Sequence, residues 1–292
     1  MKIIQDPLEL QNISIEYRSN GKKIGFVPTM GFLHDGHLSL MKKCRDKCDI
    51  LVVSIYVNPL QFGPTEDLDR YPRDLDGDIE KCTAQFVDIV FVPNAMYHPN
   101  HSTYVNVEDL DTGLCGKSRE GHFRGVTTVV ARLFGLVQPN IAVFGEKDYQ
   151  QLAIIRRMVR DLAMPIEILS GPIEREESGL AMSSRNRYLL PEEKLQGQSL
   201  SKSLFWATRY CSSQDRPVEA FFIIDTIRRL LDVKEIDYVS VVDIDTLQPI
   251  ATITNRARCL IAAFVGQTRL IDNIQLVIGN SGKNHEGERK EQ

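Results

Sequence analysis

The stretch IGFVPTMGFLHDGHLSLMKKCRDKCDILVVSIYVNP, residues 24–59, decides the fold. Residues 24–28 form a short apolar run that ends in a glycine-containing turn, Thr29-Met30-Gly31. Residues 37–47 then place Leu38, Leu40, Met41 and Cys44 at helical spacing. Residues 49–57 are almost continuously apolar and β-branched, which marks a strand buried on both faces. That run stops at Asn58-Pro59, because proline has no N–H to give a sheet ladder.

Working outward, the same grammar repeats. The pattern predicts a helix over 74–85, a buried strand over 87–92, a helix over 126–137 and a strand over 141–144. A helix over 149–163 follows, with Leu152, Ile155, Val159 and Leu162 on one face, and then a strand over 166–169. Repeated strand–helix alternation makes this an α/β fold, a doubly wound parallel sheet of Rossmann-like type. After Glu174 the order changes. Two helical segments, 191–211 and 218–231, precede three strand-like runs at 237–244, 257–265 and 270–277, which reads as a smaller α+β domain. The expected division is therefore 1–174 for the Rossmann-like domain and 175–280 for a smaller α+β lid domain. The tail, 281–292, has no apolar residue and is expected to be disordered.

The chain has 292 residues, 42% hydrophobic and 25% charged, with a net charge of -4. This is the composition of a soluble globular protein, with no basic stripe for nucleic acid and no run long enough to span a membrane. A cytoplasmic location is expected, since the N-terminus lacks the apolar run of a secretory signal. The six cysteines form no C-x-x-C pair and read as reduced, structural residues. His98 and His101 lie in a Pro/Asn-rich stretch without cysteine support and read as solvated loop.

In open α/β sheets ligands bind outside the carboxyl ends of the strands, and the unusual residues all follow strands. In MGFLHDGH, residues 30–37, Gly31 and Gly36 allow tight turns, and the helix start beyond them aims free N–H groups at an anion. A helix dipole is worth only ~0.3–1 kcal/mol at an exposed site, so a triphosphate needs further donors. Two histidines three residues apart, His34 and His37, can supply them. Spacing alone favours two surface histidines; placement directly after a buried strand reverses that. In GEKD, residues 145–148, Lys147 can stabilise charge on phosphates, and Asp148 can hold Mg2+, a hard cation that prefers carboxylate and phosphate oxygen. Met182-Ser183-Ser184-Arg185 adds two hydroxyls and a guanidinium. Gln61 and Gln151 are neutral groups suited to hydroxyls and carboxylates. Residues 121–125, GHFRG, serve equally as a contact loop or a helix entry.

In combination these segments closely resemble the pantoate–β-alanine ligase family. The matches run in order as PTMGFLHDGH at 28–37, VNPLQFGP at 57–64, DRYPR at 69–73, LCG at 114–116 with GHFRGV at 121–126, FGEKDYQQL at 144–152 and GLAMSSRNRYL at 179–189. The histidine motif is similar to the HIGH signature of the wider nucleotidylyltransferase and class I aminoacyl-tRNA synthetase superfamily. The resemblance implies ATP-dependent condensation of pantoate with β-alanine through a pantoyl adenylate, releasing pyrophosphate and AMP. It implies ATP contacts by Met30, Gly31, Phe32, Leu33, His34, Asp35, Gly36 and His37, by Gly145, Glu146, Lys147 and Asp148, and by Glu174, Met182, Ser183, Ser184 and Arg185. His37 would be the proton donor with His34 beside it, and Lys147 and Arg185 would stabilise the phosphates. Gln61 and Gln151 would bind pantoate, with Gln61 also near β-alanine. A homodimer is implied as well. Thr65, Glu120 and Glu174 depart from the family pattern, but none removes a charged or histidine group from the site.

Two other readings stay open at this level. An adenylyltransferase shares the histidine motif but needs cations for a phosphate-bearing acceptor, where this chain has Gln61 and Gln151. A non-catalytic nucleotide sensor would have no use for Lys147 and Arg185 at a leaving group. A tRNA synthetase is disfavoured by the acidic balance and the lack of a basic extension.

Overall fold

The computed structural model describes residues 1–64 and 66–279. Thr65 and the tail expected to be disordered, 281–292, lie outside the described residues. The chain divides into two compact units, the first formed by Met1–Arg175 with Met182–Arg185, the second by Glu176–Ala181 and the chain from Asn186 onward.

The first unit runs β1 (Lys2–Ile4), α1 (Pro7–Ser19), β2 (Ile24–Thr29), α2 (Asp35–Arg45), β3 (Ile50–Ile55), α3 (Leu75–Ala84), β4 (Ile89–Phe91), α4 (Leu114–Ser118), α5 (His122–Val137), β5 (Ile141–Gly145), α6 (Tyr149–Asp161) and β6 (Glu167–Gly171). Its six strands form one parallel sheet in the order β1-β4-β3-β2-β5-β6. The α/β, doubly wound class is therefore as read from the sequence. Winding reverses between β2 and β5, which puts the switch point beside the carboxyl ends of those two strands. Central strands are apolar on both faces: Phe26, Val27, Leu51, Val52, Val53, Ala142 and Val143 are all buried.

Pro28 shapes the switch point. In β2 the carbonyl of Ile24 accepts from Asn140, on the β5 side, whereas those of Lys23 and Thr29 accept from Ile50 and Tyr56, on the β3 side. Alternate residues thus face alternate neighbours, and the nitrogen at position 28 faces β5. Proline has no hydrogen there to donate. The β2–β5 ladder accordingly ends after two pairs, Gly25↔Ile141 and Phe26↔Ala142, while the β2–β3 ladder continues to Thr29↔Ile55.

Several elements differ from the sequence reading. β1 and α1 were not expected, because a three-residue strand and a largely polar helix carry little periodic signal. α2 begins two residues earlier than the apolar spacing suggests, so His34 becomes its N-cap and His37 lies in its first turn. Of the two readings of GHFRG the helix entry holds, and α5 starts four residues earlier than expected: Gly121, with φ 77, precedes His122, and Phe123 is buried. The His98–His101 segment is irregular, but the His101 ring packs between Tyr97 and Tyr104, with centroids 4.6 Å and 5.1 Å away.

The second unit continues with α7 (Pro191–Ser212), β7 (Val218–Glu219), α8 (Ala220–Leu230), β8 (Glu235–Val242), β9 (Thr252–Ile253), β10 (Arg256–Val265) and β11 (Thr268–Val277). An antiparallel sheet in the order β11-β10-β8 encloses its own core, which includes Leu200, Leu204, Ile223, Ile227, Val241, Ile261 and Leu276. Met182–Arg185 groups with the first unit and not with the lid domain that the sequence assigned to 175–280. The Met182 N–H donates to the Glu174 carbonyl, and the Ser184 hydroxyl donates to the Phe32 carbonyl.

Candidate active site

A cavity of about 1360 Å³, counting the solvent at its mouth, opens at the β2/β5 switch point of the first unit. Its floor and walls come from the segments that follow β2, β3 and β5. The turn after β2 is held by a buried carboxylate: the N–H groups of Phe32 and Leu33 each donate to Asp78 on α3, both at 2.7 Å. Gly31 has φ +82, and a Cβ there would lie 2.9 Å from Ile55 and 3.0 Å from Asp78. Only glycine fits this turn without displacing one of them.

Past the turn, the His34 and His37 rings stand 4.1 Å apart by centroid. The His34 backbone N–H donates to Nδ1 of His37 at 3.3 Å. A nitrogen that accepts from an amide carries no proton, so neutral His37 holds its hydrogen on Nε2. Burial, the His34 ring and Lys147 push the His37 pKa well below its usual value; burial and Lys147 push that of His34 down to about 4. Both rings are neutral at pH 7, and His37 Nε2 carries a hydrogen available to a ligand. Gly36 admits the His34 ring, since a Cβ there would sit 2.9 Å from its Nδ1. That Nδ1 is buried without a hydrogen-bond partner among the described residues, a departure of the kind found at functional sites.

Lys147 and Asp148, in the turn after β5, both line the cavity and lie 3.7 Å apart. Glu146 turns away from it, accepting from the Ser170 hydroxyl at 2.9 Å. Arg185 reaches the cavity with its guanidinium already engaged. Nε and Nη2 form a two-pronged pair with Asp67 at 2.9 Å and 2.8 Å, which holds the Asp67 carboxyl below its ordinary range. Among the described residues no three His, Cys, Asp or Glu side chains cluster as a metal site.

Gln61 and Gln151 line the same cavity. Neighbouring Gln150 has a different use: its amide accepts from the Cys115 N–H and donates to the carbonyls of Leu110 and Gly113, tying α6 to the segment around α4. Gln61 is fixed on several sides. Its Oε1 accepts from Asn58 Nδ2 at 3.1 Å, and its Nε2 donates to the Met30 sulfur at 3.2 Å.

Of the residues expected at the nucleotide, Met30, His34, Gly36, His37, Gly145, Lys147, Asp148, Glu174, Met182, Ser183, Ser184 and Arg185 line the cavity. Gly31, Phe32, Leu33, Asp35 and Glu146 do not; Gly31, Phe32 and Leu33 build the turn instead. Sequence reasoning missed Asn58, Tyr71, Arg119 and His122 as lining residues. Tyr71 and His122 lie in the DRYPR and GHFRG motifs, so a signal existed, whereas Asp78 carried none.

The sequence profile of the pantoate–β-alanine ligase family matches residues 2–275. The chain belongs to this family. Among curated ligases of the family, the pantothenate synthetase of Thermotoga petrophila is 50% identical over 277 residues, covering 94% of this chain and 99% of that one. That of Geobacter sulfurreducens is 49% identical over 281 residues, with the same coverage. The crystal structure of pantothenate synthetase from Thermus thermophilus is 43% identical and superposes with a TM-score of 0.87 over 94% of this chain and 99% of that chain. A ligase from Francisella tularensis, complexed with beta-gamma ATP and beta-alanine, is 32% identical with a TM-score of 0.77, covering 94% and 97%.

Proposed function

We propose that this enzyme performs its family's ATP-dependent condensation of pantoate with β-alanine through a pantoyl adenylate formed in the β2/β5 cavity. The observation that carries this reading is one cavity lined by two chemically different sets of groups. Neutral His34 and His37, with Lys147, suit phosphate; two amides, Gln61 and Gln151, suit a hydroxy acid.

In the first step a carboxylate oxygen of pantoate attacks the α-phosphorus. The bond to the bridging oxygen breaks, and pyrophosphate leaves with the electron pair. Negative charge gathers on the leaving group, so a fixed cation and fixed donors there lower the barrier most. Lys147 supplies the cation. His37 supplies a hydrogen bond from Nε2 to the charge that develops there. Arg185, held in place by Asp67, and Lys147, beside Asp148, both bring positive charge to the cavity. In the second step the β-alanine nitrogen attacks the acyl carbon, AMP leaves with the electron pair, and the nitrogen loses a proton. Gln61 and Gln151 hold the acid in register for both attacks.

Asp148 is a single carboxylate, 49% exposed at the cavity, and is the residue that would hold a Mg2+ ion accompanying the nucleotide, which would neutralise charge on the triphosphate. A homodimer is part of the proposal, and sedimentation equilibrium tests it.

The deciding assay is exchange of labelled pyrophosphate into ATP. The adenylate route requires exchange that depends on pantoate and proceeds without β-alanine. Active protein that makes pantothenate with no such exchange would refute the adenylate.

A further inference from the structure

The backbone of Gln61 is anchored by side chains that have no part in the chemistry above. His122 Nδ1 lies 2.8 Å from the Gln61 carbonyl oxygen, and Arg119 Nη2 lies 3.3 Å from the same oxygen. A carbonyl only accepts, so His122 carries its hydrogen on Nδ1, and its Nε2 is left to accept from Arg119 Nη1 at 3.0 Å. Both ring nitrogens are thereby committed to protein partners. Arg119 is in turn clamped by Glu66, from Nε at 2.7 Å and Nη2 at 2.6 Å, the two-pronged geometry that fixes a guanidinium plane. Burial and the Arg119 charge lower the His122 pKa to about 4, so the ring keeps this one-hydrogen form at neutral pH.

From this geometry we infer that Glu66, Arg119 and His122 form a positioning chain that sets the pantoate affinity of the enzyme by fixing Gln61. The inference rests on Gln61 being the pantoate contact proposed above. The chain runs from a carboxylate at the loop after β3 to a helix start, and its last link is a main-chain carbonyl. Side-chain identity at Gln61 alone would therefore not preserve the subsite. The Gln61 amide is held by Asn58 and Met30, its main chain by His122 and Arg119, so the amide presents its remaining donor and acceptor sites in one orientation. A group held at both ends loses little freedom on binding, which is where affinity from a neutral amide must come from.

Substitutions that keep one nitrogen position at a time separate this role from plain packing. His122→Gln retains an acceptor for Arg119 but loses the donor to Gln61. His122→Asn retains a donor near Nδ1. Arg119→Lys keeps the charge but loses the fork. In the pyrophosphate exchange assay, His122→Gln and Arg119→Lys should each raise the KM for pantoate about tenfold, the loss of one good buried hydrogen bond, with the KM for ATP within about twofold of the parent. His122→Asn should recover most of the loss. Thermal melts identify any variant that fails to fold, and Arg119→Lys carries the test if His122→Gln is one. Equal rises in both KM values, or no rise in either, would overturn the positioning chain. A Gln61→Ala control that leaves the pantoate KM unchanged would instead overturn the subsite assignment on which the inference stands.

Discussion

Gly125→Ala adds one methyl group where two backbones meet. Gly125 lies in the first turn of α5, and a Cβ there would be 2.1 Å from the Leu60 carbonyl oxygen, 2.4 Å from its carbon and 2.7 Å from the Gln61 Cα. None of these atoms belongs to a flexible side chain. Asn58 further ties the two together by donating to the Gly125 carbonyl at 3.1 Å. Bringing the nearest contact out to the 3.4 Å of ordinary packing requires a retreat of about 1.3 Å. Overpacking of this kind costs about 1–3 kcal/mol, while replacing glycine by alanine within a helix returns up to about 1 kcal/mol. The net loss of stability should therefore be small. The effect on catalysis should not be, because a 1 Å misplacement of a positioning group costs about 10²-fold. The expected signature is a fall in kcat/KM for pantoate of about two orders of magnitude in the exchange assay, alongside a melting temperature within several degrees of the parent. A folded variant with kcat/KM within about threefold of the parent would refute the reasoning that the α5 start sets the place of Gln61.

Asp78→Asn should cost about 1.5–3 kcal/mol, because an amide keeps one acceptor for the Phe32 and Leu33 N–H groups and turns a donor toward the other; chemical denaturation of the variant checks this, and an unchanged midpoint would count against the clamp. Gln151→Ala should raise the KM for pantoate with little change in melting, whereas Gln150→Ala should lower the melting temperature first, since three backbone partners lose their bonds. If both variants behave alike, the division of labour between the neighbours is wrong. Stability should fall as pH drops from 6.5 toward 4. His34, His37 and His122 all have folded pKa values below the ordinary 6.5, so the unfolded chain binds more protons in that window and acid favours it. The slope is about 1.4 kcal/mol per pH unit for each histidine neutral when folded and protonated when unfolded. Melting temperatures that stay flat between pH 7 and 5 would contradict this.

The parts of the molecule legible from sequence are those in which the signal is local. Buried β-branched runs such as Leu51–Val53 announce central strands, and the helical spacing of Leu152, Ile155 and Val159 announces α6. The His34/His37 pair is legible for the same reason: strand, turn and helix start lie within fifteen residues. What stayed hidden depends on distant pairing. Asp78 is separated from Phe32 by 46 positions, and nothing in its helix distinguishes it from Asp76 as the residue that turns inward. Arg185 reads as a spare cation until Asp67, 118 positions away, is seen to hold it. The two adjacent glutamines are equivalent in sequence, and one helical step of rotation separates a structural tie from a cavity wall. The glycines of GHFRG left loop and helix entry equally open in sequence; in the fold they serve as a left-handed cap and a close approach, and α5 starts four residues earlier than its apolar spacing indicates.

The proline in β2 has a further consequence for how the enzyme meets its substrates. Two parallel strands with free donors and acceptors at their ends can zip together until something stops them. Here the stop is covalent, since no rearrangement of solvent or side chains gives Pro28 an N–H. The cleft is therefore a permanent parting in the sheet, set before any ligand arrives, and binding energy need not be spent in prying strands apart. Replacing Pro28 by valine restores a potential rung opposite β5, in a direction that would narrow the entrance from within.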